Sequence, residues 1–190
     1  LDVALIRDGL PILADTGSRI GEFQTSIRSI AIRTSGLGGD SEVDLSGWPK
    51  VTIGPRRVTP ACRIPPQYAG EINQLDATLQ KIIPLAPNIF DFVSLAPGVE
   101  PEGDFLGKLS TGPLLLLELA EQMNRPGPAF IPWKEFETQN KICRYGLTLT
   151  DVLHVQKSYN AFNPEIAGKV LQAWSLLLDA TPDEIIAAIH

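Results

Sequence analysis

The sequence predicts an α/β protein, with a β-rich portion over residues 1–100 and an all-helical portion over residues 101–190. In the first 46 residues, short apolar runs alternate with turn residues, which is typical of strands joined by tight reversals. After residue 110, apolar residues follow helical spacing, and side chains that favour helix starts recur. At 190 residues, the chain is long enough for one sizeable core or two small ones.

A β-hairpin is predicted at the start of the chain. Apolar residues 3–6 and 10–13 flank Asp8-Gly9, a pair that supplies the positive φ angles of a tight reversal. A second extended run over 27–33 leads into a glycine-rich turn, and a further strand is expected over 42–45.

The sequence predicts two strands, one helix and a linker in the middle of the chain. A short strand is expected over 50–53, ending at Gly54-Pro55, and a helix is expected over 71–83 from its apolar spacing. A buried strand is expected over 88–95, and residues 99–108, rich in glycine, proline and acids, are interpreted as a linker.

Helices are expected over 111–123 and from Pro132 to about Tyr145. Three later helix starts are marked by side chains that can cap exposed amide groups. They are Thr148 with Asp151, Asn163 with Pro164, and Thr181 with Glu184.

Composition narrows the class of protein. The net charge of -6 argues against a nucleic-acid-binding surface, which needs clustered cations. Cys62 and Cys143 lie far apart, so a disulfide framework or a thiolate zinc site is not expected. No apolar run approaches the roughly 20 residues that span a bilayer, so no membrane segment is expected. We therefore expect a cytoplasmic protein, and the abrupt start on strand-like residues suggests a fragment.

The glycine-rich turn is the strongest local candidate for ligand binding. Glycines allow backbone amides to approach phosphate or ribose closely, so Gly36, Gly38 and Gly39 are candidate ligand contacts. Asp40 and Ser41 either contact the same ligand or hydrogen-bond their own loop, as such residues do in many turns. A tight connection with no ligand remains the alternative.

Several polar residues have both a functional and a structural interpretation. Arg56 and Arg57 are adjacent on a strand, so at most one can face a cleft, and solvation of both is the alternative. His154 suggests acid-base or metal chemistry, but a structural, hydrogen-bonded histidine is favoured. Both cysteines are expected to pack in apolar surroundings.

Four segments, in order, resemble the hydantoinase A/5-oxoprolinase family. Residues 2–9 resemble the end of that family's phosphate-loop motif, Asp-x-Gly-Gly-Thr-Thr-x-Asp, and the hairpin after it. Residues 34–41 occupy the place of its second glycine loop, although Asp40 stands where glycine is commoner. Residues 53–58 and 146–155 resemble two further landmarks, the second close to Gly-Leu-Thr-Pro-Thr-Asp-Ala-Leu-His-Val.

This resemblance implies an actin-like, ribonuclease H-like ATPase fold and a hydrolase that uses ATP and Mg²⁺ to open a cyclic amide or imide of the hydantoin or 5-oxoproline type. It implies that Asp2 is the acid that holds the metal or orients water, and that Gly36, Gly38, Gly39, Asp40 and Ser41 bind ATP. A solvated residue at the chain end is the alternative for Asp2.

The resemblance also implies that the chain starts just after the two glycines of the phosphate-loop motif, which bind the phosphate groups. We therefore expect half of a nucleotide site, inactive alone, whose partner is a missing N-terminal half or a companion subunit in a possible oligomer. The rival hypotheses are a non-catalytic actin-like nucleotide-binding or assembly protein, and an interaction module whose glycine loop is an ordinary turn.

Overall fold

The structure is a computed structural model that describes residues 2–15, 17, 19–20, 23–24, 26–34, 37–68 and 86–189. Its content is mixed α/β, as the sequence predicts. The chain forms two compact units, Leu1–Gly38 and Gly39–His190. The boundary therefore differs from the one expected near residue 100.

The N-terminal unit consists of short antiparallel strand pairs. Its described strands are β1 (Asp2–Ala4), β2 (Ile6–Arg7), β3 (Leu10–Pro11), β4 (Leu13–Ala14), β5 (Arg19–Ile20), β6 (Phe23–Gln24), β7 (Ser29–Ile30) and β8 (Ile32–Thr34). Strand β1 pairs with β8, β2 with β3, β4 with β7, and β5 with β6. The hairpin predicted at Asp8-Gly9 is confirmed, with φ angles of 52° and 79° at the two turn residues.

Many large apolar side chains of this unit are exposed. They are Val3, Leu5, Ile6, Leu10, Leu13, Phe23, Ile27, Ile30 and Ile32. Two-stranded pairs of two or three residues per strand cover few side chains, so the described part of the unit buries little apolar surface.

The C-terminal unit is built on a four-stranded sheet. A hairpin of β9 (Ser41–Asp44) and β10 (Thr52–Arg57) precedes it. The sheet contains β11 (Thr59–Pro60), β12 (Phe92–Leu95), β13 (Leu114–Leu115) and β14 (Ile142–Gly146), in the order β11-β14-β12-β13. Strand β14 runs parallel to β11 and antiparallel to β12, so it occupies the interior of the sheet.

Six α-helices are described in this unit. They are α1 (Gly103–Lys108), α2 (Leu116–Gln122), α3 (Trp133–Thr138), α4 (Leu149–Val155), α5 (Pro164–Leu178) and α6 (Pro182–Ile189). Short 3-10 turns cover Ala61–Arg63, Pro66–Tyr68 and Pro128–Phe130. None of the helices in the described ranges is long and apolar enough to cross a bilayer.

The three later helix starts predicted from capping side chains are confirmed. Thr148 and Asp151 form a reciprocal capping box at the start of α4. The Asn163 side chain accepts a hydrogen bond from the Glu165 amide, with proline at the first helical position. Thr181 and Glu184 exchange hydrogen bonds across the first turn of α6.

The region expected to be all-helical contains two strands. The helix expected from Pro132 to Tyr145 ends at Thr138, and β14 follows. Along β14 burial alternates with the period of a strand, but two inward positions are Arg144 and Gly146. Because neither is apolar, the period-2 pattern is hidden in the sequence.

Three smaller expectations also change. Leu114–Leu115 pair with β12 before α2 begins. The sequence does not reveal this strand, because all four leucines of the run are buried and their pattern has neither the period of a strand nor that of a helix. The expected linker holds α1, whose Phe105 and Leu106 enter the core. Strand β10 continues through Gly54-Pro55, where the register shifts. The helix expected over 71–83 lies outside the described residues.

The larger of two cores in this unit packs α5 and α6 against β9, β12 and the turn before it. Phe90 meets Trp174 of α5 edge to face, with ring centroids 5.1 Å apart and an interplanar angle of 88°. Such aromatic pairs add stability beyond the area they bury.

We expect Trp174→Ala to lower the free energy of unfolding by about 3–5 kcal/mol, because it empties a buried aromatic site. Leu176→Ala, at an exposed position of the same helix, is the matched control and should change it by less than about 0.5 kcal/mol. Urea unfolding measures both. Equal losses in the two variants would contradict this packing.

Candidate functional site

Three of the segments that carry the resemblance meet in the C-terminal unit. The amide of Thr150 donates a hydrogen bond of 2.8 Å to the carbonyl oxygen of Gly39. The amide of Val58 donates one of 3.0 Å to the carbonyl oxygen of Asp40. The glycine turn is therefore fixed from two sides, by the end of β10 and by the start of α4.

Gly39 also packs closely against Thr150. A Cβ atom at Gly39 would lie 2.6 Å from the Thr150 hydroxyl oxygen, nearer than side chains approach. The contact joins the glycine turn to a segment more than 100 residues further along the chain.

Behind this junction lies a buried charged cluster centred on Arg144 of β14. Its guanidinium contacts Asp91 at 2.6 Å, Glu42 at 3.1 Å and Glu137 at 2.7 Å. The Asn88 side chain donates to both Glu42 and Asp91, at 2.7 and 2.9 Å. Because a buried charge is costly without partners, these groups must fold together.

Burial and pairing shift the titration of the cluster. Burial raises the pKa of Asp91 to about 6, although Arg144 and Asn88 oppose that shift. Burial alone would lower the pKa of Arg144, but Asp91, Glu42 and Glu137 outweigh it and raise that pKa above its ordinary value. The guanidinium therefore remains charged and held by three carboxyl groups.

Gly146 makes room for this cluster. A Cβ atom at Gly146 would lie 2.7 Å from a carboxyl oxygen of Asp91. Asp91 is fixed by Arg144 and Asn88, so it has no free direction in which to move.

A second buried carboxylate, Asp151, joins α4 to the 3-10 turn after β11. It accepts hydrogen bonds from the amides of Ala61 and Cys62 at 3.2 and 2.7 Å. It also accepts them from the amide and hydroxyl of Thr148, at 2.8 and 2.7 Å. Burial raises the pKa of Asp151, while hydrogen bonds from Cys62, the Thr148 hydroxyl and the Ala61 amide oppose that shift.

His154 is a structural residue. Its Nδ1 lies 2.7 Å from the Thr150 carbonyl oxygen, which can only accept, so Nδ1 carries the proton. Its Nε2 then accepts from the Phe162 amide at 3.0 Å. Both ring nitrogens are thus engaged, and His154 cannot serve as a general base in this arrangement.

Neither cysteine is placed for thiolate chemistry. Cys62 is buried, and its sulfur lies 3.8 Å from the protonated Nδ1 of His154. Burial and the nearby Asp151 carboxylate raise the pKa of the Cys62 thiol. Burial also raises the pKa of Cys143. Thiolates are the reactive form, so both residues are poor nucleophiles.

An open cavity of about 370 Å³ lies beside the glycine turn. Asp40 and Arg57 form one side of it, and Arg63 lies on the turn after β11. Asn140 and Cys143, which flank the start of β14, line another side, and the buried Arg144 also reaches the cavity. This volume lies at the lower end of the roughly 300–1,000 Å³ typical of ligand pockets.

The residues expected to bind ATP divide between the two units. Gly39 and Asp40 lie in the C-terminal unit, and Asp40, but not Gly39, lines the cavity. Ser41 is fully buried at the start of β9, so its hydroxyl is not accessible to a ligand here. Gly38 is the last residue of the N-terminal unit, and Gly36 lies outside the described residues.

Asp2, the expected catalytic and metal-binding acid, lies in β1 of the N-terminal unit, and its side chain is outside the described part of the structure. Within the described ranges, no three His, Cys, Asp or Glu side chains are grouped to hold a metal ion. The structure therefore does not test the expected metal site.

Arg57 and Arg56 follow the alternation expected of adjacent strand residues. Arg57 lines the cavity and contacts Asp40 at 3.4 Å. Arg56 contacts Glu42 at 3.2 Å and does not line the cavity.

The central residues of the site were not found in the sequence. Glu42, Asp91 and Arg144 are separated by up to 102 positions and share no motif. The one local signal is a single arginine inside the otherwise uncharged run Ile-Cys-Arg-Tyr-Gly, which can mark a buried, paired charge.

We expect Arg144→Met to lower the free energy of unfolding by about 3–5 kcal/mol, because it leaves buried carboxylates without their cation. Arg125→Met removes an exposed arginine and should change stability by less than about 0.5 kcal/mol. Chemical denaturation measures both. An Arg144→Met variant as stable as Arg125→Met would show that the cluster is not a structural requirement.

The raised pKa of Asp91 predicts a pH dependence of stability. Its folded-state value is about 6, and that of an unfolded aspartate is about 3.9. Between these values the folded protein binds more protons, so its stability falls as pH rises from about 4 to about 6. Asp91→Asn should flatten the unfolding free energy across that window.

Subtracting the two profiles isolates Asp91, since Asp151 titrates identically in both proteins. Parallel profiles for wild type and Asp91→Asn would contradict the assignment.

Comparisons with protein-family models, with curated proteins and with solved structures gave no match to this chain.

Proposed function

We propose that the chain is part of an ATP-dependent amidohydrolase that opens a cyclic amide or imide, and that it supplies one wall of the nucleotide site. One observation carries the proposal. Gly39, Asp40, Val58 and Thr150, from three of the segments that carry the family resemblance, are joined by backbone hydrogen bonds, and Asp40 and Val58 also line an open cavity.

In this proposal, the Asp40 carboxylate and the exposed backbone of Gly39 contact the adenosine side of ATP. A carboxylate accepts hydrogen bonds from the two ribose hydroxyls. Buried Ser41 supports the loop from behind instead of touching the nucleotide. The modest cavity volume suits a chain that contributes only part of the site.

The remaining chemistry is assigned from the family resemblance. Bound ATP and Mg²⁺ supply phosphoryl activation of the amide oxygen, which makes the ring carbon more electrophilic. Asp2 is the residue proposed to hold the metal or orient water.

The apolar surface of the N-terminal unit supports the proposal that further protein packs on it. Many exposed large apolar side chains in one small unit are typical of a surface that contacts another protein. The proposed partner is the missing N-terminal half or a companion subunit.

The test is phosphate release by the full-length protein with ATP, in the presence and absence of hydantoin or 5-oxoproline. We expect a cyclic amide to stimulate release. Asp40→Asn should raise the KM for ATP by about tenfold, the cost of weakening a hydrogen bond to a charged group. Asp104→Asn, an exposed acid that pairs with Lys108, is the matched control and should leave the KM unchanged.

Two outcomes would count against the proposal. ATP hydrolysis that no ring compound stimulates would favour the non-catalytic actin-like switch. Absence of ATP binding would favour the interaction module with an ordinary turn.

A further inference from the structure

The cavity beside the glycine turn gathers cations from three separate segments. Arg57 ends β10, Arg63 ends the 3-10 turn, and Arg144 lies on β14. Only two acids, Asp40 and Glu137, line the same cavity. The lining therefore has one positive charge in excess, whereas the whole chain has a net charge of -6.

Arg144 does not supply the binding group. It is buried, and its nitrogens already contact three carboxyl groups. Moving it toward a ligand would leave Glu42 and Asp91 buried without a cation, which is strongly unfavourable. Its role is that of a fixed charge behind the cavity.

Arg57 is only weakly engaged. Its single ion pair within the described ranges is with Asp40, at 3.4 Å. Strong charge-assisted hydrogen bonds measure about 2.7–2.9 Å. More than half of the Arg57 side chain is exposed, so its guanidinium can reorient toward a ligand at low cost.

Arg63 has no carboxylate partner among the described residues. Its guanidinium lies over the Phe162 ring, 5.2 Å from the centroid. This stacking restrains the plane of the guanidinium, while its N–H groups can still donate within that plane. Arg63 lines this cavity and also, together with Phe162, a second cavity of about 370 Å³. A guanidinium restrained in this way, with no carboxylate partner among the described residues, is suited to a planar or tetrahedral oxyanion.

We propose that this cavity binds an oxyanion, a phosphate or a carboxylate, between Arg57 and Arg63, with Thr59 and Asn140 as neutral donors. Thr59 and Asn140 both line the cavity, and a hydroxyl and a side-chain amide can each donate a hydrogen bond to an oxyanion. The oxyanion site does not depend on the proposed function. Only the identity of its natural ligand depends on that function, and this ligand is either a nucleotide phosphate or the carboxylate of a substrate.

The test is calorimetric titration of the 190-residue chain with inorganic phosphate at low ionic strength. Arg57→Gln and Arg63→Gln should each weaken binding by about tenfold, the effect of losing a charged hydrogen-bond donor. Arg56→Gln is the matched control, because it removes the same charge one residue away and outside the cavity. Thermal unfolding of each variant verifies that it is folded.

Two further pairs of probes separate the sources of the oxyanion. Arginine-dependent binding of ATP but not adenosine would assign the site to phosphate. Arginine-dependent binding of 5-oxoproline but not 2-pyrrolidone, the same ring without a carboxylate, would assign it to a carboxylate.

The proposal is overturned if none of these oxyanions binds, or if Arg56→Gln weakens binding as much as the cavity variants do. Arginine-dependent binding without amide-stimulated ATP hydrolysis would support the oxyanion site and defeat the proposed function. Amide-stimulated ATP hydrolysis, with oxyanion binding unchanged in Arg57→Gln and Arg63→Gln, would support the proposed function and defeat the oxyanion site.

Discussion

The C-terminal unit depends on one buried cation. Arg144 lies on the interior strand of the sheet, where its guanidinium has to be matched by carboxylates in order to leave water. Those carboxylates come from β9, from the turn before β12 and from α3, so one charge fixes three elements. The absence of a side chain at Gly146 is part of the same constraint, because Asp91 occupies that space.

Asp151 performs a similar task at the 3-10 turn that carries Arg63. Its carboxylate caps α4 and accepts hydrogen bonds from two amides of the 3-10 turn. Arg63 therefore lies on a turn that is fixed by a buried residue. The Arg144 cluster and Asp151 therefore fix segments that border the cavity, and the exposed Arg57 and Arg63 remain able to contact a ligand.

Local features of the fold could be predicted from the sequence, and long-range ones could not. Asp8-Gly9 and Thr148 with Asp151 act within a few residues, so their geometry follows from the residue types. The sequence predicts helix where β14 lies, because Arg144 and Gly146 occupy inward positions of that strand and hide its alternation. A local motif predicts Gly39 and Asp40 as ligand contacts, and Asp40 lines the cavity.

The rest of the site has no local signal. Arg63 and Asn140 reach the cavity only because the sheet brings β11 and β14 side by side. Glu42 and Arg144 lie 102 positions apart, and nothing in either neighbourhood marks the other. Such residues become visible only when the strand order is known.

The most direct measurement follows the arginine side-chain Nε–H resonances by NMR while phosphate is added. The account predicts that the resonances of Arg57 and Arg63 shift in a saturable manner, while that of Arg144, whose Nε donates to Glu137, stays in place. A shift of the Arg144 resonance with unchanged Arg57 and Arg63 would contradict it, because the buried cation would then be the ligand and not the framework.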